Sequence, residues 1–200
     1  MNAVLPAVAA GLLLGAGILA VLRTRGATMG GQLFWLVCFL AFAVAGVAAV
    51  LRLFVPGVGP VYVTLMAFAM SVGLVAALLA AACHLVRPVP EKWVTAVLAI
   101  PVVVYVVAVL TDQLYYTGLI QIVALIGLTG LAAWKFEQAS RTAMWLIAAA
   151  IAFALLPAVL MRTLPGIAPQ DAGHVAAALG VLALLQASQS PGNPRLRGTV

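Results

Sequence analysis

Apolar residues follow one another through most of the chain, in seven stretches that contain few or no charged side chains. The stretches cover residues 3–22, 32–53, 61–85, 93–111, 114–134, 143–161 and 172–189. An α-helix of about 17 to 25 apolar residues crosses roughly 30 Å of hydrocarbon at 1.5 Å per residue. The pattern therefore predicts an all-α protein, a polytopic membrane bundle of seven transmembrane helices.

Basic side chains are divided unequally between the two sets of connections that join these stretches. Eight of the ten lie in the first, third and fifth connections and in the tail: Arg23, Arg25, Arg87, Lys92, Lys135, Arg141, Arg195 and Arg197. Because Lys and Arg stay on the cytoplasmic side, this pattern predicts an N-terminus outside and a cytoplasmic C-terminus. The other side holds only Arg52 and Arg162, which we expect to pair with Asp112 or Asp171.

Composition leaves room for one membrane domain, because 66% of the 200 residues are hydrophobic and 7% are charged. We expect a transmembrane domain at 1–189 and a short basic cytoplasmic tail at 190–200. The net charge of +6 suits loops beside an anionic bilayer, so we expect no nucleic-acid partner and no cofactor. The expected location is the cytoplasmic (inner) membrane of a prokaryote. The first stretch lacks a preceding basic residue and is predicted to remain as a helix rather than a cleaved signal peptide.

Other residues inside the stretches predict packing rather than chemistry. Cys38 and Cys83 have no paired spacing and are interpreted as small core residues. Gly11 and Gly15 form a GxxxG pair, which permits close helix packing. Four tryptophans near the inner ends of spans indicate an aromatic belt: Trp35, Trp93, Trp134 and Trp145. Three prolines lie within spans and can kink them: Pro6, Pro101 and Pro157.

A faint internal repeat connects the two halves of the chain. Residues 49–60 resemble residues 158–169, with six of twelve positions identical and a shared Pro-Gly-x-x-Pro turn. Helices one to three would then recur as helices five to seven around a linker, a parallel 3+1+3 repeat. Ligand sites in such proteins often lie between the repeats. The alternative is a chance match between Ala-, Val- and Leu-rich helices.

Polar residues at the outer ends of the spans give the candidate ligand site. Its members are Asp112, Tyr116, Gln121, Asp171 and His174. Asp171 and His174 are three residues apart on one helical face, so the carboxylate can orient the imidazole or serve as a capping acid. Gln113, Thr117 and Gln121 repeat every four residues, as in the wall of a polar cavity or in an interhelical hydrogen-bonding stripe.

The layout resembles that of the alkaline ceramidase and adiponectin-receptor superfamily and of bacterial seven-helix proteins similar to it. The resemblance lies in seven helices, an acid between the fourth and fifth, and Gln170-Asp171-Ala172-Gly173-His174 opening the last. It implies a zinc held by three histidines and hydrolysis of lipid amides. This chain departs from that pattern, because only His174 matches the histidine pair of the last helix and Gln170 stands at the other position. We therefore expect no metal site, since the set His174, Asp171 and Asp112 would be atypical for a catalytic zinc.

The scarcity of chemically active groups favours a non-enzymatic function, with no catalytic residue assigned. Hydrolysis needs a nucleophile or metal, a base and an oxyanion stabiliser within mutual reach. We therefore expect a ligand-binding, sensory or assembly module whose outer-facing polar crevice takes a lipid, a small molecule or a membrane partner subunit. The alternatives are a metal-dependent lipid (ceramide-like) hydrolase and a small solute transporter.

Overall fold

The computed structural model describes residues 4–24, 30–87, 89–164 and 166–190, and these residues form helices and turns without a strand. The helices are α1 (Val4–Thr24), α2 (Gly30–Leu51), α3 (Gly59–Phe68), α4 (Leu74–Leu85), α5 (Glu91–Leu110), α6 (Tyr115–Lys135), α7 (Ser140–Ala154), α8 (Leu156–Thr163) and α9 (Pro169–Gln189). A π-helical segment, Ala69–Gly73, joins α3 to α4. The predicted all-α class is confirmed for this part of the chain.

Six of the helices are long and apolar enough to cross a membrane, with α3, the π segment and α4 acting as one helix of 27 residues. A seventh span exists if α7 and α8 are taken together. Long apolar helices of this kind place the protein in a membrane. Arg25 and the predicted tail beyond residue 190, with Arg195 and Arg197, lie outside the described residues.

The sixth predicted span is broken rather than straight. α7 and α8 meet at an angle of 54° around Leu155. Pro157 explains the bend, because it has no N–H for the carbonyl of Phe153 and its ring displaces that turn of helix. Pro6 has no such effect, since it lies in the first turn of α1, where the N–H groups have no intrahelical acceptor.

Six helical units form a closed circuit, and each packs mainly against two neighbours. In order they are α1, α2, the α3–α4 helix, α6, α7 with α8, and α9, which returns to α1. α5 lies outside this circuit and touches it at the π segment, α6 and α2. Only 17% of the α5 span is buried, compared with 67% of the α9 span. α5 is therefore a peripheral linker, whereas α9 is central.

Small residues bring neighbouring helices into backbone contact. A Cβ added to Gly17 of α1 would lie 2.7 Å from the Cα of Ala43, and one added to Gly46 of α2 would lie 2.7 Å from the Cα of Leu14. Such contacts replace hydrophobic association, which is weak between helices in lipid. The predicted GxxxG pair does not make this contact, because Cβ atoms at Gly11 and Gly15 would meet nothing within 4 Å.

The interior of the circuit is filled by apolar side chains. Phe42 of α2 and Phe153 of α7 are both buried and stack with their ring centroids 5.3 Å apart, although their helices lie on opposite sides. Cys38 and Cys83 are free and buried, as predicted. The aromatic belt is wrong for Trp35, which is buried and stacks on Phe39.

Polar contacts define the two ends of the bundle. At one end, which we call the basic end, His84 Nε2 lies 3.0 Å from the carbonyl oxygen of Ser190, so that α4 and α9 meet. By chain direction this end also carries most of the described cations: Arg23, Arg87, Lys92, Lys135 and Arg141. The opposite end carries Arg52 and Arg162, and its buried polar contacts form the candidate site.

Candidate ligand-binding site

The site is built where α2 ends and where α3 and α9 begin. Its members are Arg52, Tyr62, Gln170, Asp171 and His174, which we call the Tyr62–His174 cluster. The turn between Arg52 and Tyr62 reverses the chain at Gly57, whose φ of 92° is readily adopted only by glycine. On α9 the spacing of three and four residues puts Gln170 and Asp171 one turn before His174, on the same side of the helix.

A hydrogen bond between Tyr62 and His174 is at the centre of the cluster. The Tyr62 hydroxyl oxygen lies 2.7 Å from His174 Nε2, and the two rings meet edge to face with centroids 5.5 Å apart. Both side chains are buried, and His174 has 0% of its surface exposed. Because α3 and α9 are opposite members of the circuit, this bond crosses the interior and joins the two sides.

Arg52 adds a cation to the cluster. Its guanidinium carbon lies 4.2 Å from the centroid of the Tyr62 ring, a cation–π geometry, and Nη1 donates a hydrogen bond of 2.6 Å to Gln170 Oε1. The partner of Arg52 is thus an amide and an aromatic face, not the carboxylate that the sequence suggested. The contact ties the end of α2 to the first turn of α9.

Asp171 adds a buried acid beside these groups. Only 3% of its surface is exposed, and its charge acts on Tyr62, as does the charge of Arg52. The residue lies in the first turn of α9, where the helix dipole stabilises a negative charge. The N-cap position itself is held by Ala168, which makes no side-chain capping hydrogen bond.

One nitrogen of the buried imidazole is left without a partner. His174 Nδ1 makes no hydrogen bond with any of the described residues. Whichever tautomer is present, this atom is an unused donor or an unused acceptor. A buried polar group without a hydrogen bond costs about 1 to 3 kcal/mol. His174 Nδ1 is therefore a buried side-chain polar atom that the described residues leave unsatisfied.

The remaining predicted site residues lie apart from this cluster. Asp112 is exposed in the turn between α5 and α6 with a φ of 55°, and Tyr116 is half exposed and contacts Tyr115. Gln121 is partly buried on α6, whose main neighbours are α4 and α7 rather than α9. In the described part of the chain, no hydrogen bond or ring contact links these residues to His174.

The predicted polar stripe on α6 is only partly buried. Gln113 is exposed and Gln121 is partly buried, while Thr117 is buried and donates its hydroxyl to the carbonyl of Leu114. The Thr117 hydroxyl proton is thus used within its own chain segment.

A metal site does not form from the predicted set. Within residues 4–24, 30–87, 89–164 and 166–190, no three His, Cys, Asp or Glu side chains are grouped closely enough to hold a metal ion. Asp112 lies in the turn between α5 and α6, whereas Asp171 and His174 lie in α9. Because a catalytic zinc needs three protein ligands, these residues do not fit the metal that the resemblance implies.

Of the five cluster residues, the predicted site contained Asp171 and His174 but not Arg52, Gln170 or Tyr62, and Tyr62 makes the central contact. The repeat contains the relevant pattern, because Tyr62 follows Pro60 by two residues just as Asp171 follows Pro169. The position that matches Tyr62 is thus Asp171, which lies one helical turn before His174, the hydrogen-bond partner of Tyr62. Comparisons of the chain with protein-family models, with curated proteins and with solved structures find no match.

Proposed function

We propose that this protein binds a small polar ligand at the Tyr62–His174 cluster. The observation that carries the proposal is the fully buried imidazole with one nitrogen free of any described partner, next to a buried acid and an arginine. Ionisable side chains inside a membrane are costly and usually serve function. A neutral imidazole can donate or accept one hydrogen bond at Nδ1, so the ligand must present a hydroxyl, amide, carboxylate or similar polar group there.

The proposal includes a membrane arrangement in which α7 and α8 together form one broken span, so that the chain crosses the membrane seven times. The concentration of cations at the basic end supports a cytoplasmic location for this end. The N-terminus and the Tyr62–His174 cluster then face the outside of the inner membrane of a prokaryote. Reporter fusions after Arg87 and after the last residue should both be active only as cytoplasmic reporters. Activity of either fusion as an exported reporter would contradict this orientation.

A small solute transporter is the second candidate, supported by likenesses between the two triplets of spans. Gly57 and Gly166 occupy matched positions in the shared turn and have φ angles of 92° and 91°. Each is followed three residues later by a proline in the first turn of a helix, Pro60 in α3 and Pro169 in α9. Spans one to three also lie opposite spans five to seven in the circuit. This arrangement supports a parallel repeat with the cluster between its halves.

Ligand binding can be tested with purified protein and defined probes. The melting temperature would be measured with amino acids, sugars, nucleosides and carboxylic acids, and each hit would be titrated by calorimetry. A hit should bind the native protein and lose most of its affinity in His174→Ala and Tyr62→Phe. Tyr116→Phe is the matched control, because this tyrosine is half exposed outside the cluster.

The results separate the candidates. Binding that is unchanged in both cluster variants, or a panel without a hit, would count against a small polar ligand at this site. A ligand that the native protein also carries into sealed proteoliposomes, and that His174→Ala does not, would favour the transporter. Binding without uptake would favour a sensory or assembly module.

A further inference from the structure

An apolar groove runs between α6 and α7, away from the Tyr62–His174 cluster. Its volume is about 510 Å³, and its lining is almost entirely apolar. Lining residues include Leu125, Gly130, Ala133, Ile147, Ala150 and Leu155. Three of these side chains are small or absent, which leaves space between the two helices, and the lining ends at Leu155, the residue between α7 and α8 where the chain bends by 54°.

The length of the groove matches one leaflet of a bilayer. It extends on α6 from Leu125 to Ala133, a distance of eight helical steps or about 12 Å at the rise of 1.5 Å per residue. Half of a hydrocarbon core of roughly 30 Å is about 15 Å. A transmembrane helix of a second copy would need the full thickness, whereas an acyl chain of one leaflet needs only half. The dimensions therefore favour a lipid over a second protein chain.

Charge at the end of the groove near Ala133, which we call its mouth, favours a particular headgroup. Lys135 ends α6 two residues beyond Ala133, and its Nζ lies 4.0 Å from the Trp134 ring centroid and donates to Gln138 at 3.3 Å. Arg141 is exposed in the first turn of α7. Glu137 in the same connection offsets one of these charges, so the mouth keeps an excess of one positive charge. Cations at this level attract anionic lipid headgroups.

We propose that this groove is a binding site for an anionic phospholipid. One acyl chain lies against Gly130 and Ala150, and the phosphate contacts Lys135 and Arg141 at the basic end. The site is independent of the function proposed for the Tyr62–His174 cluster, because it uses different helices and the opposite end of the bundle.

Native mass spectrometry of the purified full chain can test this, with phosphatidylglycerol and phosphatidylcholine of equal chain length as probes. The native protein should retain phosphatidylglycerol in preference to phosphatidylcholine. Gly130→Leu should lose the bound lipid, because its new side chain enters open space in the groove without a clash. Gly118→Leu on the same helix also meets open space but lies outside the groove, so it should retain the lipid.

The headgroup contact has its own variants. The double variant Lys135→Gln, Arg141→Gln should bind both lipids equally. The control variant Arg162→Gln, at the opposite end of the bundle, should keep the native preference for phosphatidylglycerol. Ala133→Leu, at an exposed position of the mouth, provides a second groove-filling variant if Gly130→Leu does not fold. Equal binding of both lipids by the native protein would overturn the proposal. So would lipid retention in both groove-filling variants, or a dimer that those variants disrupt.

Discussion

Replacing Tyr62 by Phe removes a single hydroxyl from the centre of the cluster. The ring remains, and with it the edge contact to His174 and the face on which Arg52 lies. What is lost is the hydrogen bond of 2.7 Å to His174 Nε2. Since Nδ1 already has no partner among the described residues, both nitrogens of a fully buried imidazole are then unpaired.

The expected cost follows from the burial of this pair. Interhelical hydrogen bonds in membranes contribute about 0.6 to 2 kcal/mol. Leaving a buried polar atom unpaired costs about 1 to 3 kcal/mol. In the ligand-free protein His174 has no exposed surface, so bulk water does not contact Nε2 once the hydroxyl is removed. We therefore expect the free energy of unfolding to fall by about 2 kcal/mol, which is roughly a 30-fold change in the folded-to-unfolded ratio.

Equilibrium unfolding in mixed micelles, with sodium dodecyl sulfate as denaturant and tryptophan fluorescence as the readout, measures this free energy. Tyr116→Phe is the control and should change it by less than about 0.5 kcal/mol, as expected at an exposed position. In a His174→Leu background, Tyr62→Phe should cost much less than in the native protein. An equal cost in both backgrounds, or a cost no larger than that of the control, would refute the hydrogen-bond argument.

Two further predictions concern the packing of the bundle. Gly17→Leu should lower the free energy of unfolding by about 1 to 3 kcal/mol, because the new side chain meets the backbone of Ala43. Gly11→Leu is the control and should have little effect, because a side chain there meets open space. The same denaturant titration measures both variants, and equal effects would contradict the assigned α1–α2 contact. Pro157→Ala should restore an N–H to the sixth span and reduce its 54° bend, as spin-label distances across α7 and α8 would report. An unchanged distance would mean that packing of α8 on α9, not the proline, sets the bend.

The existence of the membrane helices could be predicted from the sequence because span length depends only on the bilayer. Their ends were harder to place. α9 begins at Pro169 rather than at residue 172, since the polar residues Gln170 and Asp171 continue the helix instead of preceding it. The break in the sixth span could not be assigned from Pro157 alone, because α5 continues without interruption through Pro101.

The site was predicted where its residues are close in sequence and missed where they are distant. The spacing of Asp171 and His174 on one helix face required only helical geometry. The pairing of Tyr62 with His174 joins residues 112 positions apart and depends on which helices lie opposite each other in the circuit. Apolar stretches of similar composition do not specify that arrangement. It depends on close contacts such as those at Gly17 and Gly46, which the GxxxG spacing did not identify.

The peripheral position of α5 has a consequence for how this protein tolerates mutation. A helix whose side chains mostly face lipid is constrained by its average hydropathy, and many apolar exchanges at such positions leave packing unchanged. α9, in contrast, fits against helices on several sides, so even Ala-to-Leu exchanges there would meet neighbouring atoms. In a saturation mutagenesis screen for folded protein, apolar substitutions should be accepted along most of α5 and rejected along most of α9.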